Sequence, residues 1–397
     1  MKKKVILSVI IIVCLAVTIS LLLGKKTGSH NDTRSNNAGK RATSSAMFKG
    51  NLYRTGVFRP TLPRHKLMEK WKFKTGAPVR STPAVYREIV YFGSEDGCIY
   101  AVDSTIGLLK WRFKTDNKVI SSPAVSSGIV YCGSHDGRFY ALDSATGQEK
   151  WRFETGGQVE SSPAVSNGLV YFGSEDGQIY CLDSKTGVKK WGFKTGGWVF
   201  SSPALTEDGV FIGSFDGNVY ALDPLTGQEK WRFTTGGSVF SSPAIDRDTV
   251  YVGSDDGNLY AVDAGTGHET WKYKAKGRIW SSPTVADGIV YFGSWGGLLY
   301  AVDSSWKSGW RGLYGDLFKN SGLLWKLDSM AFLLSSPVVA GDLLLVGTDV
   351  EGLWVINRLD GSIVFQWKSE YPVNSSVAVV NGSVYFGSTD NYVYALY

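Results

Sequence analysis

Few residues in this chain have the types and spacings that chemistry demands. Four histidines (His30, His65, His135, His268) show no metal-ligand spacing, and four cysteines (Cys14, Cys98, Cys132, Cys181) form no CxxC pair. The isolated cysteines read as buried thiols. What does stand out is a set of variable residues at two fixed places in a repeat. The residue before each SSPA-like segment runs Arg80, Ile120, Glu160, Phe200, Phe240, Trp280, Leu334, Asn374. The residue after each Gly-Ser-like pair runs Glu95, His135, Glu175, Phe215, Asp255, Trp295, Asp349, Thr389. Aromatics crowd the middle units, with Trp198 nearby, and charged or polar groups occupy the others. Aromatic clusters of this kind are the stuff of recognition surfaces. The alternative is that they plug a channel as core. Asp255, Glu160 and Glu175 are conceivable stand-ins for catalytic carboxylates and no more.

The repeat that carries these positions begins at Ser81. Its first segment has proline at 83, 123, 163, 203, 243, 283 and 337, with Val377 in the eighth place. Its second has glycine at 93, 133, 173, 213, 253, 293, 347 and 387. A fixed period in this range denotes a repeat architecture. Each unit holds four short strands rich in β-branched and aromatic residues, here called A to D, with Asp-Gly turns between B and C and Thr-Gly turns between C and D. Four antiparallel strands per unit make a propeller blade. The eighth unit reaches Tyr397 after strand C, and an orphan strand D, Trp71-Lys-Phe-Lys, precedes the first unit at the offset of Trp111 from Pro123. The sequence therefore predicts an all-β, eight-bladed β-propeller over residues 47–397, closed by its N-terminal strand. Closure removes an exposed edge.

Alternation along the strands places the D-to-A loops and B–C hairpins on one rim, so the two variable positions share it. Phe200, Phe215, Phe240, Trp280 and Trp295 are expected to form an aromatic crescent facing a polar arc around the axial mouth. An insertion between Asp303 and Trp325 replaces a C–D turn on the other rim. Its Trp306 and Trp310, with Arg311, Tyr314, Asp316 and Phe318, are candidates for a protein or membrane contact.

Residues 1–46 carry eight basic side chains and one acid, which leaves a nearly neutral body. A body without a basic face argues against nucleic-acid binding. Lys2–Lys4 precede an uncharged apolar run from Val5 to Leu23, long enough to cross a bilayer. Residues 1–24 are read as a transmembrane signal anchor, with a secreted, cleaved form as the alternative. Residues 25–46 are polar and read as a linker. The expected placement is a single-pass cell-membrane protein with its propeller on the extracytoplasmic side.

Ala141-Leu-Asp143-Ser-Ala-Thr146-Gly147-Gln-Glu149-Lys-Trp151 resembles the tryptophan-docking motif of the PQQ-type, quinoprotein-like propeller repeat. Ala221–Trp231 and Ala261–Trp271 follow it closely, and Met47-Phe-Lys-Gly-Asn-Leu-Tyr-Arg-Thr-Gly resembles the lead-in before such propellers. The resemblance implies that Trp71, Trp111, Trp151, Trp191, Trp231, Trp271, Trp325 and Trp367 dock against neighbouring blades as structural residues. Two functions follow from it. One is a non-catalytic scaffold, as in the propeller of the outer-membrane β-barrel assembly machinery, binding a protein partner or small ligand at the rim without a cofactor. The other is a PQQ-dependent dehydrogenase holding the quinone with calcium. Enzymes of that kind carry an adjacent cysteine pair and calcium ligands, and neither is found in this sequence.

Overall fold

The computed structural model describes residues 47–58, 62, 66–306, 322–329, 332–350 and 352–397. The predicted membrane anchor and linker, residues 1–46, lie outside them, as do Trp310, Arg311, Tyr314, Asp316 and Phe318 of the insertion. Among the described residues no helix is long and apolar enough to cross a membrane.

Eight antiparallel sheets follow one another along the chain. Blade two is representative: strand A is Ala124–Ser126, B Ile129–Gly133, C Arg138–Asp143 and D Glu149–Glu154. Strands B and C are buried almost throughout, because both their faces meet neighbouring blades. Strand D alternates, with Trp151 and Phe153 turned inward and charged residues outward. The charges protect an outer edge that would otherwise pair with another chain.

The ring closes as the sequence predicts. Glu69–Lys74 pairs antiparallel with Tyr392–Leu396, Trp71 opposite Ala395, and supplies strand D of blade eight. Met68 and Tyr397 exchange two backbone hydrogen bonds of 3.0 Å just beyond it. A second closure runs around the axis. The Thr82 N–H donates to the Ser122 hydroxyl, Ser122 to Ser162, and so on through Ser202, Ser242, Ser282, Ser336 and Ser376, whose N–H returns to the Thr82 hydroxyl. This explains the second serine of SSPA. It satisfies an N–H at the inner end of each strand A, where the narrowing ring leaves no partner strand.

Seven of the eight expected tryptophans dock alike. The Nε1–H of Trp71, Trp111, Trp151, Trp191, Trp231, Trp271 and Trp325 donates at 2.9–3.1 Å to a carbonyl in the next blade's C–D turn, 33 residues on. The ring lies over the turn glycine. A Cβ on Gly147 (φ 73°) would stand 2.6 Å from the Trp111 ring, so both backbone angle and space require glycine there.

Trp367 departs from this set. It pairs with Leu353, and Phe365 pairs with Val355, so Phe365 occupies the docking register and Trp367 the position of Phe153 in blade two. Trp367 packs edge-on against Phe386 and Tyr394 instead. The cause is the seam. Blade eight has no continuous C–D turn on which a tryptophan could dock, and Phe365 faces a groove shared with Lys66, Leu67 and Met68.

The inner end of blade seven holds a fifth strand, Val57–Phe58, parallel to Val338–Ala340. It belongs to the lead-in, which threads along the axis. Carbonyls of Leu52, Tyr53, Thr55 and Gly56 accept hydrogen bonds from Leu205, Ile245, Val285 and Val339, strand-A residues of four successive blades. Two cations complete the plug. Lys49, 1 % exposed, donates to the Pro283 and Pro337 carbonyls and the Thr284 hydroxyl. Arg54, wholly buried, donates to the carbonyls of Pro203, Ser162, Pro163 and Phe48. Neither has a carboxylate partner among the described residues. Burial, and then the nearby Arg54 charge, pulls the Lys49 ammonium well below its ordinary pKa.

Candidate site at the axial mouth

All eight residues that precede the SSPA-like segments line one axial cup, with Phe48 of the plug as its floor and the hydroxyl ring as its wall. The cavity is about 140 Å³. The rim assignment holds because seven of the eight B–C hairpins are tied to the preceding D-to-A loop by a backbone hydrogen bond among the described residues. The N–H of His135 donates to the Lys118 carbonyl, Glu175 to Gln158 and Trp295 to Arg278.

The aromatic residues meet in an unbroken chain. Trp198 touches Phe200 and Phe215, and Phe200 packs on Phe215 (4.9 Å between centroids) and Phe240 (5.3 Å). Phe240 stacks on Trp280 at 4.8 Å, Trp280 meets Trp295 at 4.3 Å, and Trp295 reaches Phe332 at 5.1 Å. The five predicted members are half-buried, whereas Trp198 and Phe332 at the two ends are more than half exposed (53 % and 52 %). The Trp280 Nε1–H donates to Asp255, whose carboxylate lies 3.9 Å from Arg278. The Trp295 Nε1 is buried and has no hydrogen-bond partner among the described residues. Phe332 was not anticipated, since it sits in a D-to-A loop outside both repeat positions.

The opposite arc is polar and internally paired. Glu95 accepts from Arg80 (2.6 Å) and Lys118 (2.7 Å). Burial acts to raise its pKa, and the hydrogen bonds from Lys118 and Arg80 overcome this and hold it low. Asn374 bridges onward, its amide placed to donate to Asp349 Oδ1 (2.6 Å) and accept from Arg80 Nη1 (2.8 Å). Burial raises the Asp349 carboxyl, with Arg80 opposing. Next along the arc, His135 Nε2 lies 2.8 Å from Glu160 Oε1, and Glu175 stands beside them. Burial, then the Glu160 charge, raises Glu175. The split between crescent and arc is thus observed as arranged side chains around one mouth.

Trp306 lies apart, at the start of the insertion on the other rim. It packs edge-on against Trp271 at 5.9 Å and is half-buried. Cys98, Cys132 and Cys181 are free and buried, as the spacing implies. Burial pushes the Cys132 and Cys181 thiols up to about 12.

The fit of a quinone cofactor can be judged from the cup. Sites that bury a ligand of that size measure about 300–1,000 Å³, and this cavity, floored by Phe48, is about 140 Å³. Within the described residues no two cysteines adjoin, and the carboxylates nearest the floor are already engaged or face a histidine. The residues present do not fit the group.

Fold and repeat chemistry define an eight-bladed propeller of the PQQ-type repeat. Residues 125–397, well over half of the chain, match the family model described as beta-alanine-activating enzyme, beta-propeller, and the chain belongs to that family. Residues 68–122 match a model described as outer membrane protein assembly factor BamB. No curated protein matches the chain. Among solved structures it is similar to BamB from Moraxella catarrhalis (20 % identity, 84 % of this chain and 98 % of that one, TM-score 0.70). It is also similar to quinohemoprotein alcohol dehydrogenase from Comamonas testosteroni (16 %, 91 % and 81 %, TM-score 0.75) and to a europium-containing methanol dehydrogenase (14 %, 90 % and 98 %, TM-score 0.74). At these identities the structures show the fold alone.

Proposed function

We propose that this propeller is a non-catalytic binding platform, held outside the cytoplasmic membrane by residues 1–24, that recognises a protein partner or small ligand through the aromatic crescent. The observation that carries the reading is the continuous chain of rings from Trp198 to Phe332 on one side of the axial mouth. The repeat does not require aromatics there, because other blades close the same ring with Arg80, Ile120, Glu160 or Asn374. Half-buried aromatic surface beside a Trp295 N–H with no partner among the described residues is surface that gains by being covered. The match of residues 68–122 to an assembly factor accords with a scaffold role.

A dehydrogenase reading has only the fold of its neighbours behind it, and the small volume of the cup weighs against it. The test is affinity capture from detergent-solubilised membranes. The wild-type propeller is compared with a Phe200→Ser, Phe240→Ser, Trp280→Ser protein and with a protein lacking residues 307–321. Loss of captured partners in the first alone supports the reading. Full retention by a folded triple variant refutes it.

A further inference from the structure

The polar arc contains a donor set that neither the scaffold reading nor the repeat uses. His135, Glu160 and Glu175 each point one ligand atom into a common space, and those atoms all lie within 4.8 Å of one another. His135 Nε2 and Glu160 Oε1 are 2.8 Å apart. Donors around a zinc ion at 2.0–2.2 Å stand about 3.4 Å from each other in tetrahedral geometry. The cluster therefore lies within a small side-chain adjustment of the span that one ion needs.

Three further observations point to a cation. Nε2 of His135 is buried yet makes no aligned hydrogen bond, although a carboxylate oxygen is within reach. The two glutamates face each other with no lysine or arginine partner among the described residues, unlike Glu95 next door, which has both. The side chains are also sheltered, with His135 and Glu160 only 12 % and 20 % exposed, so solvent does little to separate their charges.

We propose that His135, Glu160 and Glu175 bind a single first-row divalent transition-metal ion of the zinc type. One imidazole and two carboxylates suit such an ion better than calcium or magnesium, which take all-oxygen shells. Three protein donors leave a position open for water or for an oxygen or nitrogen atom of a ligand in the cup. The ligands come from the B–C hairpin of blade two and from the D-to-A loop and B–C hairpin of blade three. Closure of those two blades sets the site, and no local motif announces it. The proposal stands independently of the crescent.

Cobalt(II) titration of the full chain, read by its visible d–d absorption and by zinc displacement, tests the proposal. The expected result is one saturable equivalent, displaced by zinc. Affinity should fall at least tenfold in His135→Ala and in Glu175→Gln, and stay unchanged in His268→Ala. Glu160→Gln, close to isosteric, provides the same readout should His135→Ala fail to fold, and melting temperatures verify each variant. Absence of a saturable cobalt signal at millimolar metal, or wild-type affinity in a folded His135→Ala or Glu160→Gln protein, overturns it.

Discussion

Trp111 lies over Gly147, its Nε1–H bound to the Ser144 carbonyl at 3.0 Å, and the Tyr91 hydroxyl donates to that same carbonyl at 3.0 Å. Two strands of one blade thus grip one turn of the next. The tryptophan half of this joint recurs around the ring and is interrupted only where Phe365 meets the seam, while in blade four Phe211 stands in the tyrosine's place and brings no hydroxyl.

The joint predicts unequal costs for similar truncations. Trp151→Ala removes a buried ring and one of the two hydrogen bonds to the Ser184 carbonyl, the other coming from the Tyr131 hydroxyl, and should cost about 3–5 kcal/mol. Phe365→Ala removes a half-exposed ring with no turn beneath it and should cost about 1 kcal/mol. Denaturant midpoints, compared at equal slope, check the order. Equal losses would mean that the seam is packed as tightly as the other joints.

Two glycines with similar backbone angles make a second contrast. Gly147 and Gly168 have φ of 73° and 77°, but a Cβ strikes the Trp111 ring at Gly147 and meets nothing within 4 Å at Gly168. Gly168→Ala should cost about 1 kcal/mol from backbone strain alone. Gly147→Ala carries the clash as well and should lower the melting temperature markedly further. Matching shifts would show that the ring moves aside freely.

Repeat spacing makes the ring, the seam and both rim positions legible in the sequence, because each depends on residues that recur at fixed offsets. What recurs only once is harder to see. Lys49 and Arg54 have no counterpart elsewhere in the chain, so nothing marks them as axial cations bound to strand-A carbonyls. The Trp367 assignment failed because two aromatics two residues apart share a strand face. The discriminating signal was present, since Gly361 precedes Phe365 by the four residues that separate Gly147 from Trp151. His135, Glu160 and Glu175 come from separate loops, and only the packing of adjacent blades unites them.

The plug predicts a pH dependence. Burial holds the Lys49 pKa below that of the unfolded chain, where lysine titrates near about 10.4. Between the two values the unfolded state binds more protons, so stability should rise as pH rises through that window. Lys49→Met orphans the Pro283 and Pro337 carbonyls and should cost about 1–3 kcal/mol at neutral pH. The deficit relative to wild type should widen toward pH 10, because only wild type gains. Melting curves at pH 7, 8.5 and 10 read this directly, and a constant gap would place the ammonium at its ordinary pKa.

The central claim is that the crescent around Phe240 and Trp280 is a recognition surface. A binding isotherm of the captured partner against wild type and a Phe240→Ser, Trp280→Ser double variant tests it most directly. Loss of two central aromatic anchors should weaken binding by about 2 kcal/mol or more, roughly thirtyfold, with the variant still folded and its Arg80–Glu95 arc intact. An unchanged isotherm from a folded double variant would contradict the account, and the aromatics would then be the lining of a closed channel.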